Sequence, residues 1–256
     1  MRISIITGAS SGMGREFAKQ IDGMKESDEI WIVARREERL NALKDELFTV
    51  CRVFPLDLTK SEDIDALIAA LSLSGGEVNY LVNAAGFGKF GDWSEVDRQD
   101  VNGMIDLNDK ALVNITAAVI PYMKRGSHII EMCSVSAYLP LENFSVYAAS
   151  KAFALSYSYA LRAELKPKGI SVTAICPGWV ETEFAACAHN GEGVNGPKAL
   201  KPMASADKVV AKAIRAANSN RAVSVYGFTW KCMHVISKLL PKRFVMLFWH
   251  GMQKRK

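Results

Sequence analysis

Thr7-Gly8-Ala9-Ser10-Ser11-Gly12-Met13-Gly14 stands between an apolar run at 3–6 and an amphipathic stretch at 13–24. Three glycines in this order let the backbone turn tightly and approach a bulky anion. The helix that begins here presents unpaired amides and the positive end of its dipole to that anion. The spacing is GxxxGxG rather than GxGxxG, and a glycine turn after a strand is common by itself. Its position, after a first strand and before a helix, favours a loop that holds the phosphates of a dinucleotide.

Outward from this loop, short apolar runs at 29–33, 51–54, 80–82, 128–132, 171–175 and 222–225 read as strands. Between them, stretches at 37–48, 61–71, 101–123, 146–166 and 206–217 carry helical periodicity. Strands alternating with helices predict an α/β fold, a doubly wound parallel sheet of the Rossmann type with about seven strands and helices on both faces. At 256 residues, one domain spanning 1–256 is expected. Gly191, Gly193, Gly196, Pro197 and Pro202 interrupt any pattern near 185–205, where the weakest order is expected.

Composition excludes several classes. With 49% hydrophobic and 23% charged residues the chain is globular rather than disordered or fibrous. Five scattered cysteines without a CxxC pair argue for reduced thiols, with Cys133 a structural one. The opening Met1-Arg2 runs straight into strand and glycine loop, unlike a secretory signal, so a cytoplasmic location is expected. The apolar run at 244–249 is far shorter than the ~20 residues a membrane span needs. His128, His189, His234 and His250 lack ligand spacing, so no metal is expected. No nucleic-acid motif accompanies the basic residues either. The charge itself is uneven: residues 201–256 hold 12 Lys and Arg against Asp207 alone, a net +11, leaving −6 on residues 1–200.

Two features carry chemistry. The second strand ends at Ala34 with Arg35 and Arg36, where a dinucleotide fold often places an acid for the ribose 2′-hydroxyl. Guanidinium groups suit a 2′-phosphate instead, which favours NADP(H), with Arg35 as its expected partner. In Tyr147-Ala148-Ala149-Ser150-Lys151, phenol and ammonium share one helix face a turn apart. A tyrosine at its reference pKa of about 10 exchanges protons poorly at neutral pH, and lowering that by two to three units takes about 3–4 kcal/mol. A neighbouring cation supplies stabilisation in that direction.

Taken together, TGASSGMG at 7–14, Asp57 in LDLT, NAAG at 83–86, Asn108, Ser134 thirteen residues before Tyr147, YAASK at 147–151 and PGWVET at 177–182 resemble the short-chain dehydrogenase/reductases of about 250 residues. The resemblance covers residues 1–182 motif by motif. It implies strand order 3-2-1-4-5-6-7 and a catalytic tetrad. Tyr147 would exchange the proton at the substrate oxygen, and Lys151 would lower the tyrosine pKa and bind the nicotinamide ribose. Ser134 would polarise the carbonyl, and Asn108 would hold a relay water. It further implies that Gly8, Ser10, Ser11, Met13 and Gly14 surround the phosphates and that Asp57 and Leu58 meet the adenine. Asn83, Ala84 and Gly86 would lie on the ribose side, and Pro177, Gly178, Val180 and Thr182 would frame the nicotinamide. NAAG in place of the commoner NNAG removes one side-chain amide at Ala84.

The implied activity is interconversion of a carbonyl and a secondary alcohol. Phe87, Ser136, Tyr138, Leu139, Phe144, Trp179 and Phe184 are candidate cleft residues, and their apolar character favours a hydrophobic substrate of hydroxysteroid or 3-oxoacyl type. A small polar hydroxy acid is the alternative, and a non-catalytic NADP-sensing or membrane-associated interaction protein is the alternative of another class. Residues 183–205 would form the substrate loop and 226–256 a basic amphipathic extension. In the latter, Trp230, Met233, Ser237 and Leu240 fall on one helical stripe and Pro241 interrupts it. That stripe is expected to close over the cleft or to meet another subunit, with peripheral membrane contact the other reading. The family pattern implies a homodimer or homotetramer joined through 101–123 and 146–166.

Overall fold

Ile3, Ile5 and Ile6 are fully buried because strand β1 (Arg2–Thr7) runs through the middle of a seven-stranded parallel sheet. This computed structural model describes residues 1–188 and 203–253, and for residues 245, 248, 249, 252 and 253 the backbone alone. The expected substrate loop lies outside the described residues over 189–202, as does the terminal Lys254-Arg255-Lys256.

After β1 come α1 (Gly12–Met24), β2 (Glu29–Ala34), α2 (Glu37–Lys44), β3 (Val50–Pro55), α3 (Ser61–Ser74) and β4 (Glu77–Asn83). Then follow α4 (Arg98–Ile105), a π-helical segment (Asp106–Ala111), α5 (Leu112–Val119), β5 (Met123–Met132), α6 (Ser145–Leu165) and β6 (Ser171–Ile175). The described chain ends with α7 (Phe184–Ala188), α8 (Ala206–Asn218), β7 (Val223–Ser224), α9 (Phe228–Leu239) and α10 (Lys242–Gln253). The sheet order is β3-β2-β1-β4-β5-β6-β7, as the resemblance implies. Alternating residues of the central strands feed two cores. One packs Ile6, Ile32, Val82 and Ile130 against α1 and α8, the other Ile5, Val33, Leu81 and Ile129 against α3, α5 and α6.

The chain order reverses between β1 and β4, and the loops after these two strands open a crevice at their carboxyl ends. Three elements differ from the sequence expectation. The helix expected at 37–48 stops at Lys44, because the buried Asp22 carboxylate takes the Phe48 and Thr49 amides at 3.0 and 2.8 Å and turns the chain into β3. The helix expected at 101–123 is interrupted by the π-helical segment, and β5 already begins at Met123. The last strand keeps only Val223 and Ser224 of the run at 222–225.

Candidate active site

Gly8 has φ +67°, and a Cβ on it would lie 2.7 Å from the Ala85 amide nitrogen and 2.8 Å from the Ala84 carbonyl. The phosphate loop is therefore pressed against the start of the loop after β4. Thr7 holds the two together, its hydroxyl accepting from the Ala84 and Ala85 amides at 3.1 Å each. Ser11 caps α1 with extended backbone and no side-chain hydrogen bond to the helix amides, and the first turn carries no acid. Those amides, together with a facing arginine, make a donor set that fits an anion.

The facing arginine is Arg36. Its guanidinium reaches Ser10 Oγ at 3.0 Å and Ser11 Oγ at 2.7 Å. Arg39, one turn along α2, pairs with Glu183 at 2.7 Å, and Arg36 reaches the same carboxylate at 3.3 Å. Arg35 instead faces Asp57, whose carboxyl is held below its usual range by the Thr59 hydroxyl and amide and by Arg35, against the opposing effect of burial. Arg36 thus stands at the phosphate loop beside the expected Arg35.

Ser134, Tyr147 and Lys151 meet at the end of β5 and the start of α6. The Ser134 hydroxyl hydrogen-bonds the Tyr147 phenol and accepts the Ser136 amide at 3.1 Å. Lys151 Nζ lies 5.7 Å from the Tyr147 ring centre and donates to the Met132 carbonyl at 2.9 Å. Burial pushes the Tyr147 phenol up, Ser134 opposing, and pushes the Lys151 ammonium down. Asn108 sits behind them in the π-helical segment, fully buried. Its side chain takes the Phe87 amide at 3.1 Å and donates to the Phe87 carbonyl at 2.9 Å and Ser150 Oγ at 3.1 Å. A Cβ on Gly86 would meet Asn108 Oδ1 at 2.8 Å and Lys151 Nζ at 3.3 Å, so only glycine lets both polar groups come this close.

In front of these residues is a cavity of about 140 Å³. Met13, Ala84, Gly86, Pro177, Gly178, Val180 and Thr182 border it on the side towards the phosphate loop, and Phe90, Leu139, Leu141, Phe144, Trp179, Phe184 and Trp230 wall the rest. Among the described lining residues Lys151 alone is charged. Of the expected cleft residues, Ser136, Leu139, Phe144, Trp179 and Phe184 line it. Tyr138 does not: its hydroxyl bonds Cys176 Sγ at 3.1 Å and its ring packs on His234 of α9. Phe87 lies beside Gly103 of α4.

A model of the short chain dehydrogenase family matches residues 2–192. The chain belongs to the short-chain dehydrogenase family. It is 37% identical over 199 residues to sulfoacetaldehyde reductase 2 of Chromohalobacter salexigens, covering 74% of this chain and 77% of that one. It is 34% identical over 189 residues to serine 3-dehydrogenase of Agrobacterium fabrum, covering 73% and 75%. Among solved structures, a short-chain dehydrogenase from Sphingobium yanoikuyae in complex with NADPH aligns with a TM-score of 0.76 at 28% identity, over 93% of this chain and 94% of that one. The protein is accordingly an oxidoreductase acting between alcohol and carbonyl.

Within this short-chain dehydrogenase, two residues expected beside the cofactor have buried side chains. Leu58 is buried in the core cluster with Ile64 and Leu67. Asn83 is buried and spends both amide hydrogens inside the fold, on Thr116 Oγ1 at 2.7 Å and Glu131 Oε1 at 3.2 Å. Sequence reasoning passed over Glu131 altogether, although a carboxylate inside the apolar run Ile129-Ile130-Glu131-Met132 is itself the signal for a buried acid. Glu183 was also missed, and no local pattern marks it: it meets Arg39 across 144 residues of sequence.

Proposed function

We propose that the protein is an NADP(H)-dependent oxidoreductase that interconverts a carbonyl and a secondary alcohol on a hydrophobic substrate. The observation that carries this reading is the apolar cavity in front of Ser134, Tyr147 and Lys151. The walls away from the phosphate loop, Phe90, Leu139, Leu141, Phe144, Trp179 and Phe184, are apolar and suit a hydrophobic carbonyl substrate. The small polar substrates named for the relatives in Chromohalobacter salexigens and Agrobacterium fabrum are the second reading. It is disfavoured here because the described walls offer an anionic substrate no cation besides Lys151.

Arg36, Arg39, Ser10, Ser11 and the free amides of α1 would hold the phosphates, and the bound nicotinamide supplies or accepts a hydride. The NADPH complex of the structural neighbour supports this choice of cofactor. Tyr147, kept protonated by burial, is the proton donor to the substrate oxygen in the reducing direction. Ser134, already bonded to that phenol, places the carbonyl oxygen within reach of both hydroxyls and stabilises its developing charge. Lys151 lends positive charge behind the phenol, and Asn108 fixes the Phe87 backbone and the start of α6 through Ser150.

Titration with NADPH and NADH, followed by a panel of apolar ketones, tests the reading. Preference for NADPH and turnover that Tyr147→Phe abolishes without weakening NADPH binding are expected. Turnover surviving Tyr147→Phe would remove the tyrosine from the mechanism. Equal binding of the two cofactors would remove the 2′-phosphate assignment.

Two surfaces complete the proposal. Ile105 of α4 and Phe153 and Tyr159 of α6 are exposed large apolar side chains on the helices expected to join subunits. On α9, Phe228, Cys232, Val235, Ile236 and Leu239 recur at i, i+4, i+7, i+8 and i+11, with Lys231 and Lys238 flanking them. This outer stripe is exposed, Phe228 at 82% and Leu239 at 77%, and fits peripheral contact with an anionic lipid surface. No helix of the described residues is long and apolar enough to cross a membrane.

A further inference from the structure

Glu131 is wholly buried at the end of β5, level with Asn83 on the neighbouring strand β4 and covered by Thr116 of α5. Every donor of this cluster is accounted for. Asn83 Nδ2 gives one hydrogen to Thr116 Oγ1 at 2.7 Å and one to Glu131 Oε1 at 3.2 Å, and the Thr116 hydroxyl donates to Glu131 Oε1 at 3.0 Å. Two buried acceptors are left, Asn83 Oδ1 and Glu131 Oε2, with no donor among the described residues. An ionised carboxylate and an amide oxygen have nothing to give each other. A single proton on Glu131 Oε2 supplies both: it turns the half-made contact into a cyclic acid–amide pair, with Nδ2–H donating to Oε1 and Oε2–H donating to Oδ1.

We propose that Glu131 is a positioning residue held as a neutral carboxylic acid, paired to Asn83 beneath the active site, so that the charge of Lys151 stays directed at Tyr147. This second half rests on the proton-transfer reading given above.

The surroundings agree. Lys151 and Tyr157 face the carboxyl from α6, Asp109 faces Lys151 from the π-helical segment, and Cys133 follows on β5. Lys151 donates to the Met132 carbonyl at 2.9 Å rather than to Glu131. Burial raises the Glu131 carboxyl to about 7, against the lowering by Asn83, Thr116 and Lys151. Asp109, half-buried and with one carboxylate oxygen lacking a donor, is raised to about 6 by the same cause. Of the two raised acids beside the buried lysine Asp109 ionises first, near 6, so ionisation of Glu131 near 7 is the second step that offsets the Lys151 charge.

The sign follows from linkage. A carboxyl raised in the folded state contributes stability that is full below its unfolded value and is lost as pH rises through its folded value. Wild type therefore loses stability between about pH 4.5 and somewhat above 7. Glutamine reproduces the neutral acid, with an amide donor where the acid proton was.

Infrared spectroscopy and thermal melting of wild type and Glu131→Gln, neither of which requires turnover, test the proposal. A protonated-acid carbonyl stretch that titrates near pH 7 is expected in wild type and missing from the variant, apart from the Asp109 band, which titrates near pH 6 in both. The melting temperatures should coincide near pH 5, and the variant should become the more stable as pH rises past 7. An unfolded variant, or a melting difference that ignores pH, overturns the neutral-acid assignment. With turnover in hand, kcat of wild type should fall on the alkaline side near pH 7–8 while that of Glu131→Gln does not, at unchanged KM. Coincident kcat profiles beside the expected infrared band would overturn the link to Lys151 and leave the acid–amide pair standing.

Discussion

Arg35 and Arg36 look interchangeable in the sequence, and the structure separates them completely. Past the end of β2 at Ala34, Arg36 lies over Ser10 and Ser11, whereas Arg35 acts electrostatically on Asp57. A charge-assisted hydrogen bond is worth about 1.5–3 kcal/mol, so Arg36→Ala should weaken NADPH roughly tenfold to a hundredfold and NADH far less, as calorimetry would show. Arg35→Ala should have the smaller effect on both. Glu183 holds the same arginines in exposed pairs, which contribute about 0.2–1 kcal/mol. Glu183→Gln should therefore tighten NADPH a few-fold and leave NADH unmoved; weaker NADPH binding would mean that Glu183 positions the arginines instead. Tyr147, Lys151 and the glycines were legible because each motif is a run of neighbours in sequence, and Ser134 through its spacing of thirteen residues before Tyr147. Contacts between distant segments, such as Arg39 with Glu183 or Asn83 with Glu131, were not, since nothing local records them.

At the scale of elements, the parallel sheet and its flanking helices follow from apolar runs alternating with helical periodicity. The failure at 101–123 is instructive. Apolar residues continue at helical spacing through Met104, Ala111, Leu112 and Ile115, all buried, so the pattern reads as one helix. A π-helical turn adds a single residue without breaking that pattern, and the periodicity hides it. Its effect is to place Asn108 against Phe87 and Ser150 rather than along a regular helix face. Asn108→Ala leaves the Phe87 amide and carbonyl without these partners and should lower unfolding stability by about 2–4 kcal/mol. Urea titration would report this as a lower midpoint at an unchanged slope. The early end of α2 had a similar origin: the Asp22 carboxylate that turns the chain lies on α1, far from the residues it caps.

For the whole molecule, the stripe expected at Trp230, Met233, Ser237 and Leu240 is realised in part: the first three form the inward face of α9, whereas Leu240 lies past the helix end and is exposed. Trp230 lies against Gly178 in the cavity wall, Met233 packs in the cluster around Phe90, and the His234 ring meets that of Tyr138 at a tilt. The outward stripe escaped notice because it follows a second set of positions on the same helix, and only a folded chain tells which set is covered. Between residues 208 and 256 there are 11 Lys and Arg and no Asp or Glu, so two copies meeting through this face would repel. Vesicles containing anionic lipid should sediment the intact protein and spare both neutral vesicles and Phe228→Ser/Leu239→Ser. Sedimentation that ignores these changes would discard the lipid contact. A helix that is at once cavity wall and outer surface cannot keep two separate accounts of affinity. Whatever factor a surface partner imposes on substrate binding by shifting Trp230, substrate must impose on that partner in return. Occupancy of the pocket would then be readable at the surface, and attachment at the surface readable in the pocket.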